Sequence, residues 1–228
     1  MLEALEDYGV SSPITVLPTG IDVDAMRHGD GARFRWRHNI PERRPLLVHV
    51  GRMAHEKNID FLLRVVGRVR QLVPNVLLVL AGEGPALRGL KHQAGAADLT
   101  DNVLFLGYLE QRVGLLDCYH AADAFVFSSQ TETQGLVLLE ALACGSPVVS
   151  TSAMGTRDIL EARQGAIVAP LDVDDFSQAV LEVLRDEALR RKLATEGRRH
   201  AHRWSISAVT DRLLDLYRSI TPTRRLVA

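Results

Sequence analysis

Ser128–Val149, SSQTETQGLVLLEALACGSPVV, reads as a strand end, a polar loop, a glycine, a helix, a glycine–proline stop and a new apolar strand. Gly135 lets the backbone come close to a ligand. Leu136–Ala143 combines good helix formers with an apolar face, and Gly145 and Pro147 end it. A helix that starts behind a glycine loop offers unpaired N–H groups and a partial positive charge, where phosphate sits readily. Glu132 and Glu140 bracket this start. Carboxylates repel phosphate but accept hydrogen bonds from hydroxyls. A ligand carrying both phosphates and several hydroxyls satisfies both halves of the site, and a nucleotide-sugar is such a ligand.

Working outward, short β-rich runs alternate with helical segments. The expected strands are Ile14–Leu17, Leu46–Val50, Val76–Ala81, Val103–Leu106, Ala124–Phe127, Val148–Ser150 and Ala166–Val168. Several are continuously apolar, as strands buried on both faces of a parallel sheet are. The expected helices are Ile59–Val73 behind an Asn58 cap, with Leu72 in its apolar stripe, then Pro85–Gly95 and Val113–Ala122. They continue with Val173–Leu184 capped by Asp172, Ala188–His202, and a last helix to Ile220 capped by Ser205 or Ser207. The fold class is α/β, a doubly wound, mostly parallel, Rossmann-like sheet. Such sheets bind ligands outside the carboxyl ends of their strands. Gly20, Gly51-Arg52, Gly82-Glu83-Gly84-Pro85, Gly107-Tyr108 and the Thr131–Gly135 loop each follow an expected strand.

Composition narrows the class. The chain has 228 residues, 46% of them apolar, and a net charge of −1, so no general field draws it to nucleic acid. Its two cysteines, Cys118 and Cys144, lie in apolar runs and read as buried thiols of a reducing compartment. No apolar run is long enough to span a membrane, and MLEALEDYGV has no signal-peptide pattern, which points to a cytoplasmic protein.

Arg52 and Lys57 lie between a strand and the next helix, where a guanidinium fork and an ammonium can grip a diphosphate. They would offset its repulsion from the two glutamates. At ~4 Å and an effective dielectric of ~20, each unit-charge pair is worth roughly 4 kcal/mol before desolvation. From spacing alone the reading as surface charges, with Glu56 paired to one of them, is favoured. Gly82 permits a close approach at a strand end, or simply a tight β–α turn. Tyr108 can flank a base or pack. His49, on an apolar strand, reads as a satisfied core residue. The basic run Arg190, Arg191, Lys192, Arg198 and Arg199 suits anionic lipid or a solvated helix face, and interleaved acids favour the face. There is no GxGxxG fingerprint, P-loop, HExxH or GxSxG pattern, and no metal site is expected.

Taken in order, VLPTGIDVDAM, VGRMAHEKNIDFLL, LAGEGP, NVLFLGYL and SSQTETQGLVLLEALACGSPVV resemble the donor-binding, C-terminal half of retaining GT-B glycosyltransferases, glycosyltransferase family four or group 1. The resemblance covers nearly the whole chain. It implies a hexosyl transfer with retained configuration from a nucleotide-sugar, a UDP-sugar ahead of a GDP-sugar, with no other cofactor and no metal. It gives Arg52 and Lys57 the diphosphate and Glu132 the sugar hydroxyls. Thr133, Gln134 and the N–H groups around Gly135, Leu136 and Val137 cradle the sugar and phosphate, and Glu140 holds the ribose. Leu109, beside Tyr108, contacts the base, and Gly20 and Gly82 lie near the cleft. Residues 1–13 are then the end of an interdomain linker, 14–203 the nucleotide-sugar domain, and 204–228 a terminal crossing helix and tail. The partner is an N-terminal acceptor-binding domain that this chain does not carry, so activity of the chain alone is expected to be weak.

Thr19 stands where many relatives have asparagine. TETQG replaces the common Glu-Gly-Phe-Gly form and is similar to that of glucosyl-diacylglycerol synthases, which points to a lipid acceptor and a peripheral place at the inner membrane face. The other reading is a non-catalytic nucleotide-binding or interaction module that needs a partner chain; a GT-B epimerase or phosphorylase would need a catalytic histidine or a pyridoxal lysine in suitable context, and neither pattern is present.

Overall fold

The computed structural model describes residues 5, 7–109 and 112–221. Six apolar runs form the strands β1 (Leu46–Val50), β2 (Leu77–Ala81), β3 (Val103–Gly107), β4 (Ala124–Phe127), β5 (Val148–Ser150) and β6 (Ala166–Val168). They make one parallel sheet of six strands in the order β3-β2-β1-β4-β5-β6. The order reverses between β1 and β4, the switch point at whose carboxyl-end crevice such sheets bind ligands.

Helices α1 (Gly31–Arg37), α2 (Ile59–Val69), α3 (Leu87–Ala96), α4 (Arg112–Ala121), α5 (Leu136–Cys144), α6 (Arg157–Leu160), α7 (Val173–Arg185), α8 (Glu187–Ala201) and α9 (Ile206–Ile220) surround the sheet. Leu46 and Val48 enter one core layer with Phe34 of α1, Tyr119 of α4 and Leu142 of α5. Leu47, between them, enters the other with Phe61 of α2, Leu90 of α3 and Phe176 of α7. Alternate residues of β1 thus meet an apolar layer on each side. That explains why the strand reads as an unbroken apolar run.

The expected strand Ile14–Leu17 is not one. It has no regular secondary structure, Val16 is 60% exposed, and the nearest strand-like pairing is the isolated bridge Ile21↔Ser205. Pro13 and Pro18 flank it, and neither has an N–H to give to a ladder. Gly20 therefore follows no strand. A Cβ there would fall 2.8 Å from Ile206 Cα, so the glycine lets the chain lie against the start of α9.

Helix α2 stops at Val69, and Leu72 is 59% exposed rather than part of the stripe. Nor does Asn58 cap it. Its φ of 53° is left-handed, and its amide donates instead to the Ser128 carbonyl at 3.3 Å. Helix α1 is absent from the sequence reading because its run GARFRWR buries only Phe34, although Asp30 caps it by accepting from Arg33 N at 2.9 Å. Asp172 caps α7 as expected, accepting from Asp174 N and Asp175 N. Both cysteines are free and buried, and burial pushes their thiols up, Cys144 to about 12.

Ser205, not Ser207, caps α9, accepting from Ala208 N at 3.1 Å. No residue of α9 is buried, so the cap carries an unusual share of that helix's stability. Ser205→Ala is expected to cost about 1 kcal/mol. The loss should show as faster amide exchange across 206–220 with little change in global unfolding. Unchanged exchange there would refute it.

Candidate functional site

The loops after β1 and β4 are tied together across the crevice. Ser128 Oγ donates to the Asn58 carbonyl at 2.9 Å, Asn58 Nδ2 returns a bond to the Ser128 carbonyl, and Ser129 Oγ donates to the Glu56 carbonyl at 3.3 Å. These ties hold the short 3-10 turn His55–Lys57 against the loop that carries Glu132. Lys57 Nζ and Glu132 Oε1, 75 residues apart in sequence, form an ion pair there. Their side chains retain only 20% and 15% of their exposure. Arg52 sits in the loop between β1 and that turn, just beyond the strand end, and is exposed.

Helix α5 opens at Gly135, which is buried and left-handed (φ 67°), and no side chain caps it. The first N–H groups of a helix have no intrahelical partner, so those of Leu136 and Val137 mark the positive end of α5 beside the ion pair. Thr133 and Gln134 are exposed on the loop leading in. Sequence reasoning missed what supports that loop from below. Gly155 N donates to the Glu132 carbonyl at 2.9 Å, and a Cβ on Gly155 would fall 2.0 Å from the Thr133 carbonyl. The Gly155 just past the end of β5 was the available signal.

The close approach that Gly82 permits is internal. A Cβ there would lie 1.9 Å from the Gly51 carbonyl, and Met53 N donates to the Glu83 carbonyl. The β2 turn is thereby locked to the β1 turn that bears Arg52. Tyr108 is 69% exposed, and Leu109 is half-buried against the α1–α4 side of the core. Both line a shallow depression with Phe34, Arg37 and His38.

Glu140 is half-buried on α5 and accepts from the Tyr119 hydroxyl at 2.8 Å. Burial, then the charge of Glu140, hold the Tyr119 phenol well above its usual range, so it stays a donor. His49 differs from the expectation of a satisfied core residue. Its Nδ1 reaches the Val126 carbonyl at 3.1 Å, but the buried Nε2 has no partner. Burial lowers its pKa to about 4, outweighing the Val126 carbonyl; Lys57 lowers it further and Glu132 opposes. The ring is therefore neutral at neutral pH, with the proton on Nδ1.

Several basic residues of α8 are occupied. Arg190 donates to the Val183 and Leu184 carbonyls at the end of α7, Arg191 pairs with Glu187, and Lys192 pairs with Glu196. Among the described residues, no three His, Cys, Asp or Glu side chains gather to hold a metal, and no helix is long and apolar enough to cross a membrane.

A parallel sheet with its switch point lined by a cation, a carboxylate and an uncapped helix start defines an α/β protein of the Rossmann-like class. Residues 30–200 match the family described as glycosyl transferases group 1, and the chain belongs to that family. A D-inositol 3-phosphate glycosyltransferase of Stackebrandtia nassauensis is 32% identical, over 97% of this chain and 54% of its own length. The alpha-monoglucosyldiacylglycerol synthase of Streptococcus pneumoniae is also 32% identical, over 80% of this chain and 42% of its own. The solved structure of sucrose-phosphate synthase from Thermosynechococcus elongatus superposes with a TM-score of 0.81 at 25% identity, over 96% of this chain and 56% of that one. The sheet is that of GT-B glycosyltransferases. The chain spans about half the length of the curated relatives it matches.

Proposed function

We propose that this chain is the nucleotide-sugar-binding half of a retaining glycosyltransferase of family four, working with an acceptor-binding half to pass a hexosyl group to its acceptor. The observation that carries the reading is the meeting of Lys57 and Glu132 across the β1–β4 crevice, beside the helix start at Gly135. Lys57, Arg52 and the N–H groups of Leu136 and Val137 take the diphosphate and stabilise the charge that moves onto it as the leaving group. Glu132 orients the sugar through its hydroxyls, with Thr133 and Gln134 alongside. Glu140, steadied by Tyr119, takes the ribose, and the Tyr108–Leu109 segment takes the base. UDP is placed ahead of GDP. A lipid acceptor fits the synthase relative, and with it a peripheral site on the cytoplasmic face of a membrane. No metal or further cofactor is required by this arrangement.

Calorimetry against UDP, UDP-glucose and GDP-mannose tests the reading. Binding of at least one is expected, and a folded chain that binds none at millimolar concentration removes its basis. A second reading, a nucleotide-binding interaction module, draws on Ile206, Leu214, Tyr217 and Ile220, all exposed on α9. It predicts nucleotide binding with no sugar transfer even when an acceptor-binding half is supplied.

A further inference from the structure

The lysine assigned to the diphosphate is paired with Glu132. Lys57 and Glu132 are held together by their side chains and by the serine ties beneath them. Both are largely withdrawn from water, so their attraction is less screened than that of exposed pairs such as Arg191–Glu187. A diphosphate that recruits Lys57 brings its own negative charge up to Glu132. Nearby His49 is neutral and cannot replace the lysine as partner to that carboxylate.

We propose that the Lys57–Glu132 pair makes the site discriminate by the presence of the sugar. A bare nucleoside diphosphate draws Lys57 away and leaves Glu132 unsatisfied beside like charge. A nucleotide-sugar brings hydroxyls that donate to Glu132 as Lys57 turns to the phosphates. The carboxylate thereby weakens the hold on the nucleotide once the sugar has left, and favours its release. This rests on the nucleotide-sugar reading above. It goes beyond it by giving Glu132 a second task, competition with the leaving group for one cation.

Glu132→Gln keeps the side chain's size and an oxygen for Lys57 but removes the charge. Dissociation constants for UDP, GDP, UDP-glucose and GDP-mannose are compared by calorimetry in the wild-type chain and in E132Q, with circular dichroism to confirm the fold. E132Q is expected to bind the bare nucleotide about three- to tenfold tighter, and the advantage of the sugar-bearing ligand should shrink. Adding Lys57→Met to E132Q should abolish the tightening. Unchanged or weaker binding of the bare nucleotide by folded E132Q overturns the inference while leaving the nucleotide-sugar reading intact. If neither protein binds any of the four ligands, both fall. The wild-type chain gives a check that needs no variant. It must bind the cognate nucleotide-sugar more tightly than the matching bare nucleotide, and the reverse order overturns the inference.

Discussion

Lys57→Ala lowers the affinity of the chain for a nucleoside diphosphate by about tenfold to a hundredfold, or about 1.5–3 kcal/mol, the range for a hydrogen bond to a charged group. Two effects add. The ammonium no longer reaches the phosphates, and Glu132, only 15% exposed, loses its partner and faces the ligand as an unneutralised charge. Arg52→Ala is expected to cost less, because its exposed guanidinium can shift and is better screened. Calorimetric titration with UDP and GDP reads both variants. The double variant Lys57→Ala, Glu132→Gln should recover part of the loss, since the two side chains act on each other and their effects do not add. A Lys57→Ala chain that binds like wild type would show that the lysine serves only the loops.

Much of this site follows from features that local sequence carries. The runs LLVHV, LLVLA and AFVF are short and almost wholly apolar on both parities, which suits strands covered on both faces, and six such runs with helices between them leave few topologies. Glycine before an apolar helix placed the start of α5, and the position of charges just beyond strands placed Arg52, Lys57 and Glu132 on one rim. Three kinds of feature were not legible. Ile14–Leu17 has strand composition, but whether it pairs depends on a free sheet edge and on the two prolines beside it. GARFRWR forms a helix although it buries only Phe34, because Asp30 caps it and Arg33 pairs with Asp117 of α4. The serine-to-carbonyl ties that bring Lys57 to Glu132 leave no trace in sequence, since a serine that bonds a distant backbone carbonyl looks like any other loop serine. Gly155 shows in sequence only as a glycine past a strand end. Its need to be glycine arises from a neighbour more than twenty residues earlier, the Thr133 carbonyl.

Acidification should destabilise the fold through His49 well before most carboxylates are protonated. Its folded pKa is about 4, against 6.5 for the free ring. Between those values the unfolded chain binds a proton that the folded chain does not, so stability rises with pH across that window. The contribution is complete above about pH 6.5, is lost as pH falls toward 4, and changes no further below that. A difference of this size corresponds to about 3 kcal/mol. His38 and His200, also held below their usual value, mainly by burial, act in the same direction. The comparison that isolates His49 is therefore with His49→Phe, an aromatic ring for a position that stacks 5.7 Å from Phe127 and 6.3 Å from Phe125. The variant leaves the Val126 carbonyl without its partner, a cost that does not vary with pH. Urea unfolding between pH 7.5 and 4.5 should show the wild-type free energy falling more steeply than that of the variant, with the curves converging or crossing at the acid end. Parallel curves would mean that the imidazole is protonated without penalty in the fold, and that its buried Nε2 reaches a partner after all.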